Sequence, residues 1–286
     1  MSNTLLNIIP TIPVAEATAA FTDWITNTFS FIFDPIKVYF EALMEFLSED
    51  VLMNIPPFVL IIIVALIAFF LTGKKLGLAT FSIVGLWFIY NQGYWEQLMS
   101  TFTLVLVSSV LSVIIGVPIG ILMSKSKTAE AIITPILDFM QTMPAFVYLI
   151  PAVAFFGIGM VPGVFASLIF ATPPTVRFTN LGIRQVSKEL VEAADAFGST
   201  GAQKLFKVEL PMARPTIMAG INQTVMLSLS MVVIASMIGA PGLGRDVLSA
   251  LQRSQIGPGF VSGVAIVILA IIIDRLTQSM NKEKAN

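Results

Sequence analysis

The sequence predicts an all-α integral membrane protein of about seven transmembrane helices, and three observations carry that prediction. The 286 residues are 56% hydrophobic and only 12% charged, where soluble domains are about 25% charged. Mean hydropathy is +0.89. Seven apolar runs approach the roughly 20 residues that a spanning helix needs. Basic residues gather in alternate connections, as the positive-inside rule requires.

The chain opens on a region, 1–54, that is apolar yet interrupted by acids. Glu16, Asp23, Asp34, Glu41, Glu45, Glu49 and Asp50 face a single base, Lys37. Phe21, Trp24 and Ile25 fall at helical spacing. Two placements fit: one or two amphipathic helices on the outer membrane surface, or a helical cap packed on the spans. A cleaved signal peptide does not fit, because the start lacks positive charge and the apolar run breaks early.

The expected spans follow at about 55–72, 76–92, 98–123, 132–156, 160–182, 213–238 and 258–280. The first two, within 55–97, form an accessory pair, and 98–286 is the main unit. Gly116, Pro118, Pro144 and Pro151 lie inside runs, which lipid-embedded helices tolerate when neighbours satisfy the freed backbone groups. Gly116 with Gly120, and Gly159 with Gly163, have the small-xxx-small spacing of close helix contacts.

Orientation follows from Lys and Arg. Lys74, Lys75, Lys125, Lys127, Arg177, Arg184, Lys188, Lys204, Lys207, Arg214, Arg275, Lys282 and Lys284 all fall on one side under strict alternation. Only Lys37, Arg245 and Arg253 fall on the other. The expectation is a multi-pass protein of a prokaryotic cytoplasmic membrane, N-terminus outside and C-terminus inside.

One polar island interrupts the apolar chain, "KELVEAADAFGSTGAQKLFKVELP" at 188–211. Leu190, Val191, Ala194 and Phe197 give one helical face. Gly198 supplies a turn, and Thr200 with Gln203 has capping-box spacing for a second helix, expected to end near Pro211. The island is a helix, a glycine turn and a helix on the cytoplasmic side, built as a surface to be gripped.

Its residues also carry a resemblance. Glu192-Ala193-Ala194, then Gly198, then Val208, Leu210 and Pro211 match the spacing of the cytoplasmic signature in permease subunits of ATP-binding-cassette importers, with Val208 in place of Ile. Residues 137–159, 171–198, 210–224 and 230–247 resemble the glycine betaine/proline, or osmoprotectant, branch. The resemblance implies a five-helix, MetI-like permease core preceded by an amphipathic helix and two extra spans. It implies a homodimer working with two ATP-binding subunits and an extracytoplasmic substrate-binding protein, in contact with lipid and not nucleic acid. Residues 188–211 become coupling helices, moved by the ATPases.

Composition excludes several other activities. There is no Cys and no His, which removes thiolate sites, the commonest metal ligand and the usual base near neutral pH. A net charge of -1 offers nucleic acid no attraction. The phosphate-loop pattern is absent, since 198–204 has glycines three apart and a misplaced Lys204. The chain is expected to be non-catalytic and to hold no cofactor, with ATP and magnesium on the partner.

The solute path is marked by fewer signals. Asp138 lies about two turns into the fourth run, where a charge deep in lipid costs about 2.5–3.5 kcal/mol, so it is expected to face the interior or pair with Arg177 or Arg184. Gln141, Thr142, Pro144, Phe146, Tyr148, Asn222 and Ser230 complete the candidate path. For each, helix packing is an equal or stronger alternative. Three rival functions remain open: an importer for choline, carnitine or an amino acid, an ion-coupled secondary transporter, which would show paired broken helices in an internal repeat, and a channel, for which no filter-like ring stands out.

Overall fold

The computed structural model describes residues 13–282, and every regular element among them is helical. The first twelve residues, on which the signal-peptide expectation rests, lie outside the described residues, as does Lys284. Two helices form the leader, α1 (Val14–Thr28) and α2 (Ser30–Glu45), the latter continuing as a π-helical segment to Met53. A pair of apolar helices follows, α3 (Pro57–Leu71) and α4 (Leu76–Asn91), then the long α5 (Trp95–Lys125). Next come α6 (Lys127–Thr142), a 3-10 turn, α7 (Leu149–Phe156) and α8 (Met160–Arg184). The island forms α9 (Lys188–Ala196) and α10 (Gly201–Lys204), and α11 (Leu210–Ser236), α12 (Leu243–Gln252) and α13 (Ile256–Lys282) complete the chain.

Among the described residues three helices are long and apolar enough to cross a membrane unaided: α5, the Gly201–Ser236 helix containing α11, and α13. Two bent pairs raise the number to five. The α2 helix with its extension meets α3 at 96°, and α6 meets the α7 segment at 110°. The fourth expected span is therefore not one rod. It breaks at Met143 and Pro144, both extended in backbone. The residue before a proline is pushed out of the helical region, and proline cannot continue the ladder. Yet α8 runs unbroken through Pro173 and Pro174, so proline alone does not dictate a break.

At the centre α8 packs along α5 on one side and α11 on the other, and glycines set the spacing. A Cβ on Gly116 would stand 2.8 Å from the Thr175 methyl, and one on Gly120 would stand 2.6 Å from the Val176 carbonyl oxygen. Across the other seam, a Cβ on Gly220 would meet the Phe178 Cβ at 2.5 Å. Buried hydroxyls stitch the same seams. Thr175 and Thr224 share a 2.7 Å hydrogen bond, and Thr224 also donates to the Ala171 carbonyl. The expected Gly116–Gly120 pair thus forms a contact. The Gly159–Gly163 pair does not act as one, because Gly163 packs on Ala235 and Ala240 while Gly159 faces open space at φ 131°.

The two helices of the leader differ in how far they pack on the rest of the chain. Helix α1 buries no residue and exposes Phe21 and Trp24. Helix α2 is a cap. Phe33 stacks on Phe155 at 4.8 Å and meets Phe156 edge-on, Phe156 stacks on Phe165 at 4.2 Å, and Phe40 lies against Phe165. Met44 is buried in the main core. On the far side α3 and α4 lean on α13, with Phe58, Ile62, Leu66 and Trp87 exposed, as lipid-facing positions require.

Candidate coupling hairpin and polar path

The island folds as a hairpin through local chemistry. Ser187 precedes α9, and its hydroxyl bonds the Glu189 carboxylate. That bond, with the Glu189 backbone N–H, holds the carboxyl below its usual range. Gly198 takes φ 75° and turns the chain. The capping box is complete: the Gln203 N–H donates to Thr200 Oγ1 at 3.3 Å, and the Thr200 N–H donates to Gln203 Oε1 at 2.9 Å. Lys204 reaches back to Asp195 at 2.7 Å and ties the second helix to the first. Thr200→Ala is expected to cost the hairpin about 1 kcal/mol, measurable as faster amide exchange over 200–206.

The second helix does not end at Pro211. It continues as one helix from Gly201 to Ser236. A π-helical segment, Leu205–Glu209, absorbs the proline: the Leu210 N–H bonds the Leu205 carbonyl, five residues back. The widened turn makes room for a residue that has no N–H and whose ring crowds the preceding turn. Leu210 then packs with Ile183, Ala213 and Ile217 at the base of α8 and α11, so the hairpin is fused to a membrane helix.

Of the matched residues, Glu192, Ala193, Gly198 and Pro211 are exposed, and Ala194, Val208 and Leu210 are half-buried. Glu192 makes no ion pair among the described residues. Phe197 is 91% exposed and Phe206 67% exposed. Two large apolar side chains thus stand bare on a polar hairpin. The apolar faces of both helices pointed to them, Phe197 on the first and Phe206 on the second. Glu209 was missed. It is 5% exposed and ion-paired with Lys125 at the end of α5, a pairing across 84 residues that no local pattern announces.

The candidate path residues divide into two groups. Asp138 is not buried. It lies exposed on α6 and pairs with Arg177 of α8, while Glu130 pairs with Arg184 at 2.6 Å. The two pairs lace α6 antiparallel to α8, and Asn180 between the arginines donates weakly to Glu130. The stripe of Arg177, Asn180 and Arg184 on one face of α8 was visible in the sequence, whereas the role of Glu130 was not. Gln141 and Thr142 are exposed beyond Asp138, Pro144 follows the break, and Phe146 is exposed. The Tyr148 hydroxyl turns back to the Met140 carbonyl across the bend. Asn222 belongs elsewhere: it donates to Asp274 of α13 at 2.9 Å, and Gln278 holds the same carboxylate. Ser230 is exposed and bonds only its own helix, at the Met226 carbonyl. Neither α11 residue is bonded to the α6–α7 group.

An all-helical bundle with glycine-set seams, bent spans and a projecting polar hairpin is the build of a membrane permease. The chain belongs to the binding-protein-dependent transport system inner membrane component family, whose model matches residues 112–284. It is 58% identical over 277 residues to the glycine betaine/carnitine transport permease protein GbuB of Listeria monocytogenes, covering 96% of this chain and 98% of that one. It is 52% identical to the glycine betaine transport system permease protein OpuAB of Bacillus subtilis, covering 96% of this chain and 97% of that one. Among solved structures, a chain of the MetNI methionine ABC transporter in an inward-facing conformation superposes with a TM-score of 0.61 at 21% identity. That match covers 64% of this chain and 92% of the other, so the MetI-like core fold is shared.

Proposed function

We propose that the chain is the membrane-spanning subunit of an ATP-driven importer for glycine betaine or a related quaternary ammonium or proline-type solute. The observation that carries the reading is near full-length identity of 58% and 52% to permeases named for glycine betaine transport. Two copies form the pathway, two ATP-binding subunits grip the 188–211 hairpins, and an external binding protein delivers the solute. The N-terminus lies outside and the C-terminus in the cytoplasm.

The hairpin has the properties such coupling needs. Glu192 is free for a charge-assisted hydrogen bond. Ala193 and Ala194 leave room for close approach, and Phe197 and Phe206 offer apolar anchors. Because the second helix runs straight into α11, motion imposed on the hairpin passes to the pathway without a loop between. Nucleotide binding and hydrolysis stay on the partner, and this chain contributes the two-state element that they bias.

The test is uptake of radiolabelled glycine betaine into proteoliposomes holding the permease, its ATPase and its binding protein. The expected result is uptake that requires ATP and is competed by unlabelled proline betaine or carnitine. Uptake that persists without the ATPase would instead identify an ion-coupled transporter. Uptake of choline or an amino acid but not betaine would move the chain to another branch.

A further inference from the structure

The two ion pairs between α6 and α8 lie in different surroundings. Glu130–Arg184 sits where α8 ends, next to the hairpin. Asp138–Arg177 lies two turns farther along both helices, about 10–12 Å from the first pair at 1.5 Å per residue. It stands within the spanning part of the bundle, where a charge faces protein interior or a water-filled cavity rather than lipid. The side chains of Asp138 and Arg177 are 58% and 37% exposed, so no interior encloses them. The face that carries them is therefore a wet one. It continues past the pair. Gln141 and Thr142 follow Asp138 at i+3 and i+4, on the same side of α6, and both are exposed. Phe139 and, beyond the bend, Phe146 are exposed aromatics.

The fold has little need of this pair. An ion pair so open to solvent adds little stability. Helix α6 is already held by Glu130 with Arg184, by Asn180 on Glu130, and by Leu137, which is buried with Met123 of α5 and Val176 of α8. The Arg177 guanidinium is also underused. One terminal nitrogen donates to Asp138, and the Nε–H has no acceptor. A guanidinium is a planar fork suited to a carboxylate that takes two N–H bonds at once.

A carboxylate and a guanidinium that can part from each other suit a zwitterion. The carboxylate of such a solute takes Arg177 while its cationic end takes Asp138, and neither protein charge is left bare. A solute that is only a cation strands Arg177, and one that is only an anion strands Asp138, each at the cost of an unpaired charge. A quaternary ammonium has no N–H to donate and is met by carboxylates and aromatic faces. Asp138 supplies the first, and Phe139 and Phe146 are aromatics on the same segment.

We infer that Asp138 and Arg177 form a transfer site for a zwitterion, pairing with each other when the path is empty and exchanging partners with the solute as it passes. The inference rests on the importer reading above, which supplies a solute bearing both charges and a path between two copies.

The test measures uptake of radiolabelled glycine betaine into proteoliposomes holding the permease, its ATPase and its binding protein. The binding protein is kept saturating, so that delivery does not limit the rate. Asp138→Asn and Arg177→Gln are each expected to lower uptake about tenfold, the effect of losing one hydrogen-bonded charge. Glu130→Gln, in the neighbouring pair, should keep uptake within about twofold of wild type. The double variant Asp138→Asn with Arg177→Gln separates a transfer site from a tie. Its two amides still hydrogen-bond each other, so uptake returns if the pair only holds α6 to α8. If the charges meet the solute, uptake stays lowered about tenfold or more. The chain has no Cys, so Gln141→Cys places one thiol on the same face. A charged thiol reagent should modify it in the assembled complex, and glycine betaine during ATP turnover should slow the modification. Wild-type uptake in both single variants, recovery in the double variant, or an unreactive thiol at Gln141→Cys would overturn the transfer site and leave the importer reading standing. Absence of ATP-dependent uptake by the wild-type complex would overturn both.

Discussion

Lys125→Met is expected to lower the number of solutes moved per ATP and to destabilise the end of the permease that carries the hairpin. Lys125 closes α5, and its ammonium is the partner of Glu209, which is almost wholly buried in the π-helical segment. Removing one member of a buried pair strands the other charge, at a typical cost of 3–5 kcal/mol. The lysine side chain is 40% exposed, which screens the pair and brings the expected loss to about 3 kcal/mol or less. The pair also joins α5 to the base of the hairpin, so its loss should let the hairpin move without carrying α5. The measurements are thermal melting of the purified complex and the ratio of solute uptake to phosphate release. Lys125→Met with Glu209→Met should recover most of the melting temperature, since an apolar pair of similar volume replaces a buried ion pair at little cost. If coupling needs the charge contact, the uptake ratio stays low in the double variant. An unchanged melting point and ratio in Lys125→Met would show that the pair contributes neither stability nor coupling.

Gly120→Val should be among the most damaging single changes in the bundle. The new Cβ would lie 2.5 Å from the Thr179 Cβ and 2.6 Å from the Val176 carbonyl oxygen. A flexible side chain could turn aside, but a backbone carbonyl inside α8 cannot, so α5 and α8 must separate. Overpacking costs about 1–3 kcal/mol when side chains yield, and here the expected loss is about 3 kcal/mol or more. The outcome should be little assembled complex in the membrane and a melting temperature lowered well beyond that of Thr200→Ala. Gly263→Ala is the control, because nothing lies within 4 Å of its added methyl. Equal expression and melting for Gly120→Val and wild type would remove the α5–α8 seam as a determinant of the fold.

What the sequence revealed was local. The Thr200–Gln203 cap, the turn at Gly198 and the helical faces of the hairpin each depend on residues within one turn, and all appear in the structure. The apolar runs were legible because lipid imposes length and composition. The Asp138–Arg177 pair was among the expected partners, because a charge in such a run needs an opposite one nearby. The features that escaped depend on tertiary packing. The break at Pro144 and the continuity at Pro211 involve the same residue type with opposite results, decided by an extended backbone in one case and a π turn in the other. Helix α12 was overlooked because its ten residues are too short for a span, and its burial shows only once Leu243, Gly244 and Ala250 meet their neighbours. Glu130, Glu209 and Asp274 each found partners tens of residues away.

The unbroken Gly201–Ser236 helix has a consequence for timing. At 1.5 Å per residue, 36 residues reach about 54 Å, more than the full depth of a bilayer with its headgroups. One end lies in the hairpin and the other runs into the connection to α12. A stiff shaft of that length does not relay a signal in stages: when the hairpin end rotates, the far end rotates with it. On the proposed importer reading, events at the hairpin and events at the opposite membrane face would then be two readings of a single movement.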